Sequence, residues 1–217
     1  MTLKRVMPFQ RVAASVAALS FCLFGALLVG PFAGARAQDD LKDVLEAPAG
    51  AEAQAAANVE EPADYRTDGY RMPVPKTLAG AKVIATVDAE KLHGAGKAAF
   101  VDVYPRAPKP PNLPAGTLWR DPPHLTVPGA VWLPNVGYGV LPPETETAYK
   151  AQLEKISSGD RAKTMVFYCL RNCWMSWNAA KRAVSYGYTG VTWFPDGNDG
   201  WQEAGNELKT SSRCPRA

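Results

Sequence analysis

The stretch from Thr164 to Gly187 constrains this chain more than any other part of it. Thr164-Met-Val-Phe-Tyr168 is a short run rich in β-branched and aromatic residues. It ends in Cys169, and a segment with helical spacing follows a few residues later and runs to Gly187. Such a run followed by helical spacing predicts strand, loop and helix, with Cys169 in the loop. A thiol at the start of a helix meets exposed backbone N–H groups and the positive end of the helix dipole. These favour an anion and pull a cysteine pKa from about 8.5 into the range of roughly 3.5–7.5. The arrangement suits a thiolate, a persulfide or a bound oxyanion. The same pattern equally fits a buried strand-end cysteine, or one half of a structural disulfide with Cys173.

On either side of this unit, strand-like and helix-like segments alternate. Residues 81–85 read as a strand, Thr86 or Asp88 caps a short helix through Leu92, and residues 98–103 form the near-continuous apolar run of a central parallel strand. Residues 105–128 are a proline-rich loop and 130–133 another strand. Residues 145–158 carry Tyr149, Leu153 and Ile156 on one helical face, with Gly159 as the stop. In the helix after Cys169, Trp177, Ala180 and Val184 share a face, which puts Trp177 in the core. A last strand is expected over 190–194 and a short segment over 201–205. Such alternation predicts an α/β fold, a central parallel sheet with helices on both faces and sites at the carboxyl ends of its strands.

The first residues call for separate treatment. Lys4, Arg5 and Arg11 lead into an apolar run over 12–30, and Ala35-Arg-Ala37 offers small residues where a signal peptidase reads. Residues 1–37 are therefore expected to be a cleaved signal peptide, the mature chain beginning at Gln38 in the periplasm. No basic stop-transfer flank follows the run and Phe21 precedes Cys22, so neither a stable membrane anchor nor a lipid anchor is expected. The leader holds four of the 24 Lys and Arg and none of the 21 Asp and Glu, leaving 20 against 21. With the basic excess gone and no Lys/Arg stripe elsewhere, nucleic acid is excluded as a partner. Export implies an oxidising compartment, where Cys169 and Cys173 tend to pair. Cys214 leaves the mature cysteine count odd. Residues 38–64, poor in large apolar side chains, read as a flexible tether. Residues 65–75, mixing aromatics and prolines, read as an extended arm against the body, and 76–217 as a single domain.

Five pieces then stand in a telling order: Asp102-Val-Tyr104 in a buried strand, His124-Leu-Thr-Val-Pro-Gly-Ala130 before a strand, Phe167-Tyr-Cys169, Ala179-Ala180 leading to Gly187-Tyr-Thr-Gly-Val191, and Gly200-Trp-Gln-Glu-Ala-Gly205. In order and spacing they resemble a rhodanese-like domain over residues 83–205. Behind an export signal, the Cys-x-x-x-Cys-Trp signature is similar to the CXXCW-motif proteins associated with pyrroloquinoline-quinone (PQQ)-dependent catabolism. By this resemblance Cys169 matches the residue that, in active sulfurtransferases, attacks the outer sulfur of thiosulfate and passes it on as a persulfide to a thiol or to cyanide. Arg171 would neutralise a sulfonyl anion, unless it is merely solvated. Asn172 stands where many relatives have glycine and tolerates a left-handed backbone. Asp102 would hold the loop by hydrogen bonds. Trp174, Ser176 and His124 are the residues expected to meet a substrate or partner, with Trp174 exposed in the loop.

The departures from that family reshape the expectation. Many sulfurtransferases carry Arg or Lys after the cysteine, whereas here Cys173 and Trp174 occupy those places. A phosphatase of this fold needs Cys-x5-Arg, and position 175 is Met175. Cys173 supplies a resolving thiol, so thiol–disulfide exchange stands beside sulfur transfer, with a disulfide that switches readily and adds little to stability. The partners implied are a small sulfur donor or thiol acceptor, and a periplasmic quinoprotein dehydrogenase or cytochrome. No cofactor is implied. Two further readings remain open: a non-catalytic binding module stapled by Cys169–Cys173, and delivery of Cu(I) held by both thiolates with His124.

Overall fold

A computed structural model describes residues 59–120 and 122–211. The expected signal peptide, the tether up to residue 58 and Cys214 lie outside the described residues. In chain order the elements are β1 (Lys82–Val83), α1 (Thr86–Gly94), β2 (Ala99–Asp102), β3 (Leu125–Thr126), β4 (Val131–Trp132), α2 (Pro143–Ser157), β5 (Met165–Tyr168), α3 (Trp174–Ser185), β6 (Val191–Phe194), α4 (Gly197–Glu203) and β7 (Lys209–Thr210). Five strands form one sheet in the order β1-β6-β5-β2-β4, and every neighbouring pair is parallel. The 98–103 and 164–168 runs are thus adjacent parallel strands, as the alternation predicts. Among the described residues no helix is long and apolar enough to cross a membrane.

Register explains why these strands are apolar on both sides. Val101, Phe167 and Trp193 lie abreast across β2, β5 and β6 and enter one core with Trp177, Ala180 and Ala183 of α3 and Tyr149 and Leu153 of α2. One residue earlier or later the side chains alternate to the other face. There Phe100, Val166, Tyr168 and Phe194 pack with Ala89 of α1 and Trp201 of α4. Helices cover both faces. Trp177 is fully buried, as its helical face implies.

Three local features differ from the sequence reading. The proline-rich stretch is not wholly irregular: Leu125–Thr126 pairs antiparallel with Lys209–Thr210, beyond the last expected segment. A two-residue ladder has no periodicity for a sequence pattern to register. The start of α1 has no side-chain cap; Thr86 Oγ1 donates instead to Asp196 Oδ2 of the turn before α4. Finally, α4 begins at Gly197 rather than Trp201.

Candidate functional site

Cys169 follows the last residue of β5, the strand at the centre of the sheet, and Cys173 is the N-cap of α3 with extended backbone angles. Between them Asn172 adopts a left-handed backbone (φ 54°), the conformation its side chain tolerates best among non-glycine residues. That bend turns the loop so that Cys169 and Cys173 meet in a disulfide with a Cα–Cα separation of 6.2 Å, inside the range such bonds require. Both residues are buried, at 0% and 2% exposure.

The helix dipole falls differently than the sequence implies. Because α3 begins immediately after Cys173, its positive end lies at that sulfur's residue rather than at Cys169, four positions earlier. A thiolate on Cys173 is the one this field stabilises most directly. Cys173 is thereby the better leaving group of the pair.

Neighbouring segments fix the loop from two sides. The Cys169 carbonyl accepts the Asn198 N–H at 2.9 Å, and Asp199 Oδ2 accepts the Arg171 N–H at 2.8 Å. The start of α4 therefore supplies a carboxylate to a loop amide that would otherwise face an incoming anion. Arg171 does not stand free: its two terminal nitrogens donate to the two Glu203 carboxylate oxygens, each at 2.6 Å, and Nε lies 3.5 Å from Asp196 Oδ1. The Glu203 hydrogen bond raises the Arg171 pKa further, and Arg171 in turn holds the Glu203 carboxyl below its usual range. From the N-terminal side, Tyr70 O accepts the Trp174 N–H at 2.9 Å and Arg71 Nη1 donates to Arg171 O at 2.9 Å. Burial lowers the Arg71 pKa, with Asp199 and Tyr104 opposing that shift.

Several expected roles are corrected by this geometry. Trp174 is not exposed: it is 2% accessible, lies edge-on to Trp177, and has the Arg66 guanidinium 5.3 Å from its ring centroid. It cannot serve as a surface anchor in this arrangement. Ser176 is buried as well; its hydroxyl donates to Cys173 O at 2.9 Å and accepts Trp193 Nε1–H at 3.0 Å, so it braces the helix start from inside. Asp102 does not hold the cysteine loop. It lies abreast of Tyr168, on the sheet face opposite the one taken by Cys169. Its Oδ1 accepts the Tyr104 N–H at 2.8 Å, and its Oδ2 meets His124 Nε2 at 2.8 Å and the Thr126 hydroxyl at 2.5 Å. His124 stacks on Tyr104 there and lies tilted against Trp132. The Cu(I) donor set of Cys169, Cys173 and His124 is consequently not assembled. Among the described residues no group of three His, Cys, Asp or Glu is gathered for a metal.

Sequence reasoning missed Tyr70, Arg71, Asn198, Asp199 and Glu203. Nothing local in the sequence shows that the start of α4 would clasp the cysteine loop. No family model and no curated protein matches the chain. Among solved structures the chain is similar to an uncharacterized protein from Saccharomyces cerevisiae, at 20% identity over 58% of this chain and 93% of that one, with a TM-score of 0.35. It is also similar to a protein of unknown function from Rhodopseudomonas palustris CGA009, described as a possible tyrosine phosphatase. There the identity is 19% over 63% of this chain and 99% of that one, TM-score 0.40. A third similarity is to a variant of EanB in complex with hercynine, at 17% identity over 65% of this chain and 34% of that longer one, TM-score 0.42.

Proposed function

We propose that this chain is a periplasmic rhodanese-like protein of the PQQ-associated CXXCW kind whose Cys169–Cys173 pair carries out thiol–disulfide exchange, its physiological counterpart being a quinoprotein dehydrogenase or cytochrome. The observation that carries the reading is the pair itself, seated at disulfide spacing in the loop between the central strand and α3. In the reduced protein, the Cys169 thiolate, which the helix end stabilises less and which is therefore the stronger intrinsic nucleophile of the two, attacks a substrate disulfide, forms a mixed disulfide and releases one substrate thiolate. The Cys173 thiolate then attacks the Cys169 sulfur and releases the second. Two electrons pass to the substrate, and the pair is left oxidised. Run in reverse, a dithiol attacks at Cys169 and expels Cys173, the thiolate that the helix N-terminus stabilises. Sulfur transfer from thiosulfate is less well supported, because the two groups that would hold its anionic end are engaged: the Arg171 amide by Asp199 and the Arg171 guanidinium by Glu203.

Incubating the reduced mature chain with oxidised glutathione tests this. The expected products are reduced glutathione and a protein lighter by two hydrogens. Cys173→Ser should stop at a glutathione adduct on Cys169, and Cys169→Ser should react roughly a thousandfold more slowly. Undiminished exchange by Cys169→Ser would overturn the assignment. Thiocyanate formation from thiosulfate and cyanide in a parallel reaction would move the reading to sulfur transfer.

The burial of both sulfurs favours a second reading, a non-catalytic binding module stapled by the disulfide. The two readings differ in stability. Closing so short a loop is worth about 2 kcal/mol by chain entropy, so a redox pair predicts that Cys173→Ser loses no more than that in urea denaturation. A loss of about 4 kcal/mol or more would identify a staple.

A further inference from the structure

Residues 61–77 form a loop whose two ends meet and whose tip lies on the cysteine site. At the ends, the Glu61 carboxylate accepts the Thr77 hydroxyl and, at 2.9 Å, the Ala79 N–H. At the tip, Tyr70 O and the Arg71 side chain take the bonds to Trp174 N and Arg171 O described above. Such a segment, closed at its base and packed by its own side chains, is an Ω-type loop, a class often drawn into function.

Its attachment to α3 runs largely through its backbone. The Asn178 side chain accepts the Arg66 N–H at 2.9 Å and donates to Arg66 O at 2.8 Å, while Lys181 Nζ donates to Pro62 O and Ala63 O, each at 2.7 Å. Tyr70, Met72 and Val74 pack on the core cluster that contains Cys169, Cys173 and Trp174, yet each remains partly exposed. The closed state also leaves two buried donors without a protein partner among the described residues, Arg71 Nε and Trp174 Nε1, one on the loop and one beneath it. Buried donors in this condition weaken the closed form relative to an open one in which water reaches them. The rest of its attachment is also by polar and ring contacts at the rim of the core: Tyr70 OH accepts the Gly139 N–H at 3.0 Å, Trp177 Nε1 donates to Thr77 O at 3.1 Å, and the Arg182 guanidinium lies 4.0 Å from the Tyr65 ring. Contacts at a rim open locally before the core behind them does.

We infer that residues 61–77 are a displaceable flap that gates the Cys169–Cys173 pair, with Tyr70 and Arg71 as its closing contacts. The inference rests on the redox reading above and adds its regulation. With the flap seated, Cys169 and Cys173 are both buried and the pair is shielded from adventitious thiols in an oxidising compartment. Opening uncovers Trp174 and the loop together, so a partner that displaces the flap gains access to the sulfurs in the same step. The exchange then proceeds with a dithiol as the two-electron reductant: one thiolate attacks the Cys169 sulfur and breaks the S–S bond, and the second closes the dithiol's own disulfide and frees Cys169.

The test is the rate of reduction of the oxidised mature chain by dithiothreitol over a wide concentration range, quenched by acid and read by alkylation and intact mass. A gate predicts that the rate rises and then saturates, because flap opening becomes limiting. Lys181→Ala, a partly exposed position, should raise the plateau about tenfold by removing the two charge-assisted bonds to the flap. Asn178→Ala should raise it further where the variant folds. A rate linear in dithiothreitol throughout, and equal in wild type and Lys181→Ala, would overturn the gate and leave the redox reading standing. A pair that resists every concentration in both native proteins, and yields only after unfolding in urea, would overturn the redox reading and the gate with it.

Discussion

Replacing Asp102 by alanine is expected to lower the unfolding free energy by about 3–5 kcal/mol, the range found when one partner of a buried polar pair is removed. The carboxyl is fully buried at the end of β2 and is the common acceptor for three donors: the Tyr104 N–H, the His124 ring and the Thr126 hydroxyl. The Thr126 hydroxyl also reaches Tyr168 OH at 2.6 Å, so the network ties β2 and β5 to β3. The Tyr168 phenol is itself held well above its ordinary range, chiefly by burial and then by Asp102. Removal of the carboxyl takes the acceptor from the part-buried Tyr104 N–H and His124 ring, leaves Thr126 with Tyr168 OH alone, and opens a void that the surrounding aromatics fill poorly. Asp102→Asn should cost less, since its oxygen still accepts from Tyr104, while its amide meets the His124 ring and Thr126 with altered hydrogen-bonding capacity. Thr126→Val, which removes only the bridging hydroxyl, should fall below both. Urea denaturation of the three variants gives the ordering. An Asp102→Ala protein within about 1 kcal/mol of wild type would show that the network contributes no more than an ordinary surface contact.

That network also shows what a sequence can and cannot disclose. The runs at β2, β5 and β6 were legible because burial on both faces demands unbroken apolar character, and the stop at Gly159 was legible because α2 ends in a left-handed residue followed by glycine. Asn172 was legible for the same conformational reason. The partners of Asp102 were not, because they depend on which side of the sheet the side chain leaves. A shift of one residue in register reverses that side. Trp174 was read as exposed because it was placed in the loop itself, and its burial follows from a segment about a hundred residues earlier in the chain. Arg171 was read as free because Glu203 is 32 positions away. In each case a long-range partner decided the role.

Gly197→Ala is expected to be nearly as damaging as Asp102→Ala, and its effect should reach the cysteines. Gly197 opens α4 with φ +53°, a region in which a β-carbon costs about 1–2 kcal/mol. Space is the larger difficulty: a β-carbon built there would lie 2.7 Å from the Cys169 carbonyl carbon and would press still more closely on its oxygen. Both are backbone atoms of the site loop and cannot rotate away. The same carbonyl accepts the Asn198 N–H, so relief of the clash means lifting Cys169 from the end of β5 or breaking the clasp from α4. Gly129→Ala separates the two contributions. Gly129 also has a positive φ, +79°, but a β-carbon there meets no atom within 4 Å, so that variant reports conformational strain alone, about 1–2 kcal/mol. Gly197→Ala should exceed it by at least about 2 kcal/mol in the same denaturation experiment, as overpacking against a rigid neighbour does. It should also change the rate at which the Cys169–Cys173 pair exchanges with glutathione, while Gly129→Ala leaves that rate alone. Equal losses in the two variants, with exchange unaltered in both, would show that the contact between the start of α4 and Cys169 does not position the loop.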